Sequence, residues 1–535
     1  MSTTHDVVVI GAGPNGLVAA NRLADAGWSV LVLEAQPAVG GAVRSDREVH
    51  ADFVHDTFSA FYPLAAASPT IRSFGLEEHG LTWRHAPAVL GHPTVDGDWA
   101  LQHRDRELTA SWMDAAHPGD GSAWLDLCTV WDRIGDQVVG ALLSPFPPVK
   151  SGLSALARLR RAGGLDLVRT FLTPVTQLGR QHFRGPAPAL LLAGNAGHGD
   201  IPLDAPGSGL FGLLLTMLGQ TVGYPVPEGG AGALSEALAR RLVARGGQVE
   251  CGREVARVIV TDGRAGGVRT VNGEEYAARR AVVADVAAVH LFGRLVEPDE
   301  LPAAVGRGMR TFQMDPGTVK VDWALDSRVP WATRPAYEPG TVHIADSVDQ
   351  MSNALAQVEA RMIPDAPFLL AGQMTTTDPT RSPAGTEAMW AYTHVPQPDP
   401  AVRDAGDGSV RGVWDTDDCE RFADRMQARV ERLAPGFGSR ILARRVLGPR
   451  ELEARNANLI GGAVNGGTSQ LHQQLLLRPV PRLLGRAETG VSRLYLASAS
   501  AHPGGGVHGA PGNNAARAAL FHGHFDRLSS QRLRR

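Results

Sequence analysis

The sequence predicts an α/β fold built on a parallel sheet wound with helices. Two observations carry this. At the start, Asp6–Ile10 (DVVVI) is a run rich in β-branched residues, broken by Gly11–Gly16 (GAGPNG) and followed by a helical pattern. At the far end, Leu494–Ala497 (LYLA), a glycine-rich loop at Pro503–Gly512 and a helix through Asn513–Phe521 repeat the strand, turn, helix order.

The elements follow in turn. Leu17–Ala26 reads as a helix with Leu17, Ala20, Leu23 and Ala24 on one face, and Ser29–Leu33 (SVLVL) as the second strand, ending at Glu34. From about residue 80 to 220, helical patterns alternate with breaks such as Ser144–Val149, and two stretches, Ala187–Ala193 and Gly207–Gly219, are strongly apolar. Ala233–Arg245 is a helix. Strand candidates follow at Gln248–Cys251, Val255–Val260 and Gly267–Val271, then a hairpin signal at Asn272-Gly273 and a buried strand at Arg280–Ala284. Residues 305–445 look irregular, with strands at Thr318–Leu325 and Glu387–His394 and a helix at Asp417–Leu433.

At 535 residues the chain is too long for one ordinary core, so two domains are expected. The net charge of −3 gives no reason to expect nucleic acid as a partner. Positive charge is almost all Arg, which makes Lys150 and Lys320 conspicuous. Cys128, Cys251 and Cys419 are far apart and lack paired spacing, which argues against a disulfide framework, a dithiol or a metal site. The opening MSTTHDVVVIGAG has no basic signal-peptide region, and no apolar run is long enough to span a bilayer. A cytoplasmic protein is expected, with peripheral contact to a membrane left open.

Gly11, Gly13 and Gly16 carry the chemistry. The first allows the tight turn, the second lets backbone approach a pyrophosphate and the third lets helix pack on strand, with the helix N-terminus facing the negative charge and Pro14 and Asn15 counted in the same cofactor-binding loop. Glu34, with Ala35 behind it, stands where an acidic group accepts hydrogen bonds from ribose hydroxyls. Gly40-Gly41, Ala42 and Arg44 follow. Arg44 is a candidate phosphate partner, its competing reading a surface arginine. The second glycine-rich helix opening, Glu228–Gly232, follows Pro225 and Pro227 rather than a buried strand, so a separate nicotinamide domain is not predicted. Amides around Gly505, Gly506 and Val507 could face the pyrimidine edge of a flavin.

Four stretches, Ile10–Ala42, Tyr224–Gly247, Gln473–Pro481 and Ala501–Arg517, together resemble the phytoene desaturase-like branch of the FAD-dependent amine-oxidase superfamily. Within it the chain is similar to the carotenoid ketolase type and the pyridine nucleotide-disulfide oxidoreductase domain-containing protein 2 group. The resemblance implies a Rossmann-like FAD-binding domain, discontinuous over residues 1–85, 224–300 and 450–535. Residues 86–223 and 301–449 would form the inserted α+β substrate domain. It further implies a backbone contact from Val255 to adenine. The chain departs from the family pattern at Ser498 and Ser500, at Gly466-Gly467 and at His472-Gln473, so substrate does not transfer by analogy.

The reaction so implied is hydride transfer from an apolar or amphipathic substrate, with isoprenoids as the family expectation and oxygen or a quinone as electron acceptor. The rivals are amine oxidation at a C–N bond and a non-catalytic binder of the same fold. Alternation puts Lys320 and Asp322 on one strand face and Val319, Val321 and Trp323 on the other. The resemblance suggests that Lys320 points through a water at flavin N5. The competing reading is an exposed lysine paired with Asp322. His502 either shapes its turn or touches the flavin. His508 is an acid/base candidate, or a loop side chain in solvent. Asp56, after His55, is expected to anchor backbone, and Leu210–Leu218 to wall the substrate channel.

Overall fold

The computed structural model describes residues 4–147 and 164–532, so Lys150 and the end of the Ser144–Val149 break lie outside the described residues. Two seven-stranded sheets organise the chain. The first runs Val255–Thr261, Arg264–Thr270, Glu275–Ala284, Thr4–Ile10, Val30–Glu34, Gln248–Cys251, with Leu494–Leu496 added beside Glu275–Ala284. Its central strands are parallel. Both faces are buried, as the unbroken β-branched runs require. Val7, Val9, Val30 and Val32 pack on helices Pro14–Asp25, Gly232–Ala244 and Ala510–Arg532. Val8, Ile10, Leu31 and Leu33 pack on Val258, Val268 and Phe292.

The expected hairpin at Asn272-Gly273 forms, with Gly273 N–H donating to Thr270 O at 2.9 Å. A second hairpin, which the strand candidates did not mark, turns at Asp262-Gly263, where φ is +52° and +69°. Asp-Gly is a residue pair that such left-handed turns favour.

The second sheet runs Ile441–Leu447, Gly317–Leu325, Glu387–Val395, Leu369–Gln373, Pro339–Ile344, Ala88–Pro93, Trp99–Gln102. Every pairing is antiparallel except Pro339–Ile344 beside Ala88–Pro93. Much of the stretch that reads as irregular in sequence is therefore one sheet. Val319, Val321 and Trp323 face helix Thr416–Leu433 through Phe422, Met426 and Val430. The opposite face is covered by helices Asp120–Leu143, Pro186–Ala196 and Ser208–Thr221. Among the described residues no helix is long and apolar enough to cross a membrane.

Candidate functional site

The strand Thr4–Ile10 delivers the chain to Gly11, whose φ of +92° disfavours any L side chain. The helix begins at Pro14, earlier than the sequence pattern predicts, because proline at the first helical position is already set to the helical φ. A Cβ on Gly16 would strike the Gly11 carbonyl. The buried Glu34 carboxylate accepts from Ala12 N–H at 2.6 Å and from Gln36 N–H at 2.9 Å, so it also shapes the loop. Ala35 is exposed.

One acidic group here escaped the sequence reading. Asp285, just past Glu275–Ala284, accepts from Gly16 N–H at 2.7 Å. Burial pushes its carboxyl up to about 7, against the pull of the Gly16 amide and with Glu34 adding to the rise. A lone Asp after a β-branched run carries no spacing signal that could have singled it out.

The neighbouring glycines close on the same loop. Gly40 N–H donates to Ala12 O at 2.9 Å, and a Cβ on Gly41 would lie 3.1 Å from Gly13 Cα. Ala42 packs beside Leu447, Leu452 and Leu459. Arg44 donates to Arg455 O at 3.0 Å and lies over the Phe58 ring. Val255 pairs with Thr270 and is buried with Ile10 and Leu33. From the far end of the chain, Gly505 abuts Asn465, Gly506 abuts Leu64, and Val507 packs on the first-sheet core. The closing helix crosses Pro14–Asp25 where Gly512 meets the Asn15 carbonyl.

Whether these residues suit a dinucleotide is answered by their unspent polar atoms. Asn15 Oδ1, Arg44 Nε, Asn465 Nδ2 and both amide atoms of Asn514 are buried without a partner among the described residues. Buried polar groups are normally hydrogen-bonded, so a set of free ones at the glycine loop and the opening of the closing helix suits a polar cofactor.

Lys320 and Asp322 do share a face, opposite Val319, Val321 and Trp323. The exposed-lysine reading is corrected: Lys320 is 3% exposed. Its Nζ donates to Asp56 O at 3.0 Å and to the Asp322 carboxylate, and lies 5.9 Å from the Trp390 ring centroid. Burial lowers its pKa and Asp322 works against that. Arg445 binds Asp322 at 2.8 Å and Asp46 at 2.8 Å. Beside this, Arg381 lies 3.0 Å from Asp56 and 2.9 Å from Asp378, all three side chains 0% exposed. Asp56 also accepts from Ala231 N–H at 2.7 Å, the anchoring role expected of it. These ion pairs tie the ribbon Ser45–Asp46/His55–Asp56 to the second sheet.

His508 is buried, which corrects the solvent-facing alternative. Ala510 N–H donates to its Nδ1 at 3.1 Å, so the proton sits on Nε2, 3.2 Å from Gly505 O. Both nitrogens serve the loop. His502 is buried with its ring 5.8 Å from Phe146. Burial pushes each imidazole down to about 4, so both are neutral at physiological pH.

Between loop 505–507 and the second sheet the surface is apolar. Phe61 packs on Trp390 with centroids 6.1 Å apart, and Phe61, Leu64, Leu215 and Tyr392 join one cluster.

Comparison with known proteins agrees with this geometry. The family model described as flavin containing amine oxidoreductase matches residues 15–320. Pyridine nucleotide-disulfide oxidoreductase domain-containing protein 2 of Mus musculus is 29% identical over 559 residues, covering 96% of this chain and 93% of its own. Hydroxyneurosporene desaturase of Rubrivivax gelatinosus is 26% identical, covering 99% and 95%. A crystal structure of an oxidoreductase from Methanosarcina mazei superposes with a TM-score of 0.60 at 17% identity, covering 96% and 99%, a likeness of fold.

Proposed function

Because the chain belongs to the flavin containing amine oxidoreductase family, we propose that it oxidises an apolar or amphipathic small molecule by desaturation or a related dehydrogenation. It is a flavin-dependent oxidoreductase with FAD as its cofactor. When bound, FAD supplies hydride acceptance at N5. The protein's part is to hold the cofactor, orient substrate and exclude water.

In this reading Gly11, Gly13, Pro14, Asn15 and Gly16 take the pyrophosphate, and Glu34 with Ala35 takes a ribose. Gly41, Ala42 and Arg44 close over them, Val255 meets adenine through its backbone, and Gly505, Gly506 and Val507 meet the flavin ring. Residues 1–85, 224–300 and 450–535 form the FAD-binding domain, and 86–223 and 301–449 the substrate domain. For Lys320 we favour positioning over chemistry, because its ammonium is already committed to Asp56 and Asp322.

The observation that carries an apolar substrate is the wall of Phe61, Leu64 and Trp390 beside loop 505–507. The desaturase relative supports an isoprenoid. Trp390 and Tyr392 stack side by side on one strand, 5.9 Å apart, and so form one wall rather than two facing ones, which gives no support to the amine reading. Oxygen or a quinone would reoxidise the flavin. Exposed Leu172 and exposed Leu471 both adjoin Gly207, on segments that also expose Leu165, Val168, Leu475 and Leu476, and this supports peripheral contact with a membrane that carries the substrate.

The test is anaerobic bleaching of the purified flavoprotein by matched polyenes, apolar alcohols and amines. Bleaching by polyenes or alcohols supports the proposal. Bleaching by amines alone refutes it.

A further inference from the structure

The helix-covered face of the second sheet carries a polar row that the cofactor site leaves unused. Directly opposed residues place Lys320, Tyr392, Leu370 and His343 side by side across four neighbouring strands. His343 is fully buried, its ring edge-on to Phe368 at 5.7 Å. It fits only because position 194 is glycine: a Cβ there would run into His343 Nδ1.

His198, just beyond helix Pro186–Ala196, lies over that ring with the two Nε2 atoms 3.0 Å apart. In such a pair one Nε2 donates and the other accepts. His343 Nδ1 is sealed against Gly194 without a partner, and a sealed N–H is worse tolerated than a sealed lone pair. The His343 proton therefore sits on Nε2 and is donated to His198, which puts the His198 proton on Nδ1.

His198 keeps partial exposure, and its Nδ1 has no partner among the described residues. Tyr392 shares that state. It is partly exposed although its strand lies inside a sheet covered on both faces, and its hydroxyl has no partner among the described residues. His394 joins the two, meeting the Tyr392 ring edge-on at 5.9 Å and reaching His198 electrostatically. Burial, with His394 adding to it, holds His198 down to about 3. Burial also holds His343 well below the ordinary imidazole value. The row from Tyr392 to His343 is therefore uncharged.

We infer that His198 Nδ1–H and the Tyr392 hydroxyl form a recognition point beside the apolar wall of Phe61, Leu64 and Trp390, binding a hydroxyl or carbonyl oxygen on an otherwise apolar substrate. This rests on the apolar-substrate reading above and narrows it. A hydrocarbon leaves both groups unpaired, and an ammonium offers His198 no acceptor.

The test titrates the FAD-loaded enzyme with farnesol, farnesene and dodecylamine, following the flavin absorbance. One uncharged hydrogen bond is worth about three- to tenfold in affinity. The wild type is expected to bind farnesol about tenfold more tightly than farnesene. His198→Leu and Tyr392→Phe should each cut that preference to about threefold or less, by weakening farnesol and not by weakening farnesene. Tyr392→Phe removes a single oxygen and decides the matter if His198→Leu fails to fold. Equal binding of farnesol and farnesene, or a preference that survives both substitutions, overturns the recognition point and leaves the apolar reading standing. A response to dodecylamine alone overturns both.

Discussion

Arg381 offers the sharpest test of what holds the ribbon Ser45–Asp46/His55–Asp56 in place. Its guanidinium is 0% exposed and binds Asp56 at 3.0 Å, Asp378 at 2.9 Å and Pro227 O at 3.3 Å. Burial works against its charge, yet the two carboxylates outweigh burial and raise its pKa above the usual arginine value. Arg381→Met keeps most of the volume and strands both carboxylates. Asp56 retains Ser45 Oγ and Ala231 N–H, and Asp378 retains Gly229 N–H and Thr380. Breaking a buried pair costs about 3–5 kcal/mol, and those remaining donors keep the expected loss near ~4 kcal/mol. At roughly 2 °C per kcal/mol for a large domain, thermal release of flavin fluorescence should begin about 8 °C lower. The double variant Asp378→Asn with Arg381→Met leaves one stranded carboxylate and should recover about half of that. A drop below about 2 °C in the single variant would refute the idea that this cluster clamps the ribbon to the second sheet.

Three further outcomes are expected. The folded-state pKa of Asp285, about 7, lies above the ordinary carboxylate value, so the folded chain holds a proton that the unfolded chain loses as pH rises from about 4 to about 7. Its contribution to stability falls over that window, and Asp285→Asn should flatten the difference between unfolding free energies from urea melts at pH 5 and pH 7.5 by on the order of a few kcal/mol; parallel pH dependence in both proteins would exclude it. Lys320→Met should leave both half-reactions close to wild type in stopped flow, because Arg445 still neutralises Asp322; slowing of oxygen reoxidation alone would restore a chemical role to the lysine. Glu34→Ala frees the Ala12 and Gln36 amides and should weaken FAD retention after dilution by about 1.5–3 kcal/mol, with unchanged occupancy as the contrary result.

What the sequence reveals here tracks the range of the forces involved. The β-branched run at Asp6–Ile10, the apolar run at Leu494–Ala497, the glycine spacing and the Asn272-Gly273 turn act over a few residues, and each corresponds to a strand of the first sheet or a connection next to one. Alternation likewise separates Lys320 and Asp322 from Val319, Val321 and Trp323. The pairing of Lys320 with Asp322 was legible in that alternation, but its contact with Asp56 was not, since Asp56 is 264 positions away. His198 and His343 are 145 positions apart and obey no local period, so nothing marked them before the sheet register was known. The stretch 305–445 looked irregular because its strands alternate with long loops and the helix Val348–Glu359, and a sheet pairs across such interruptions.

The first sheet has a consequence for synthesis. Thr4–Ile10 is made well before one of its two neighbours, Glu275–Ala284, and Leu494–Leu496 and the helix Ala510–Arg532 follow later still. The nascent strand therefore waits, with an apolar edge uncovered, while the residues between Val30–Glu34 and Glu275–Ala284 are made. Flavin capture can then come only after the helix Ala510–Arg532 has been made, and a product terminated before it would emerge colourless and exposed to proteolysis.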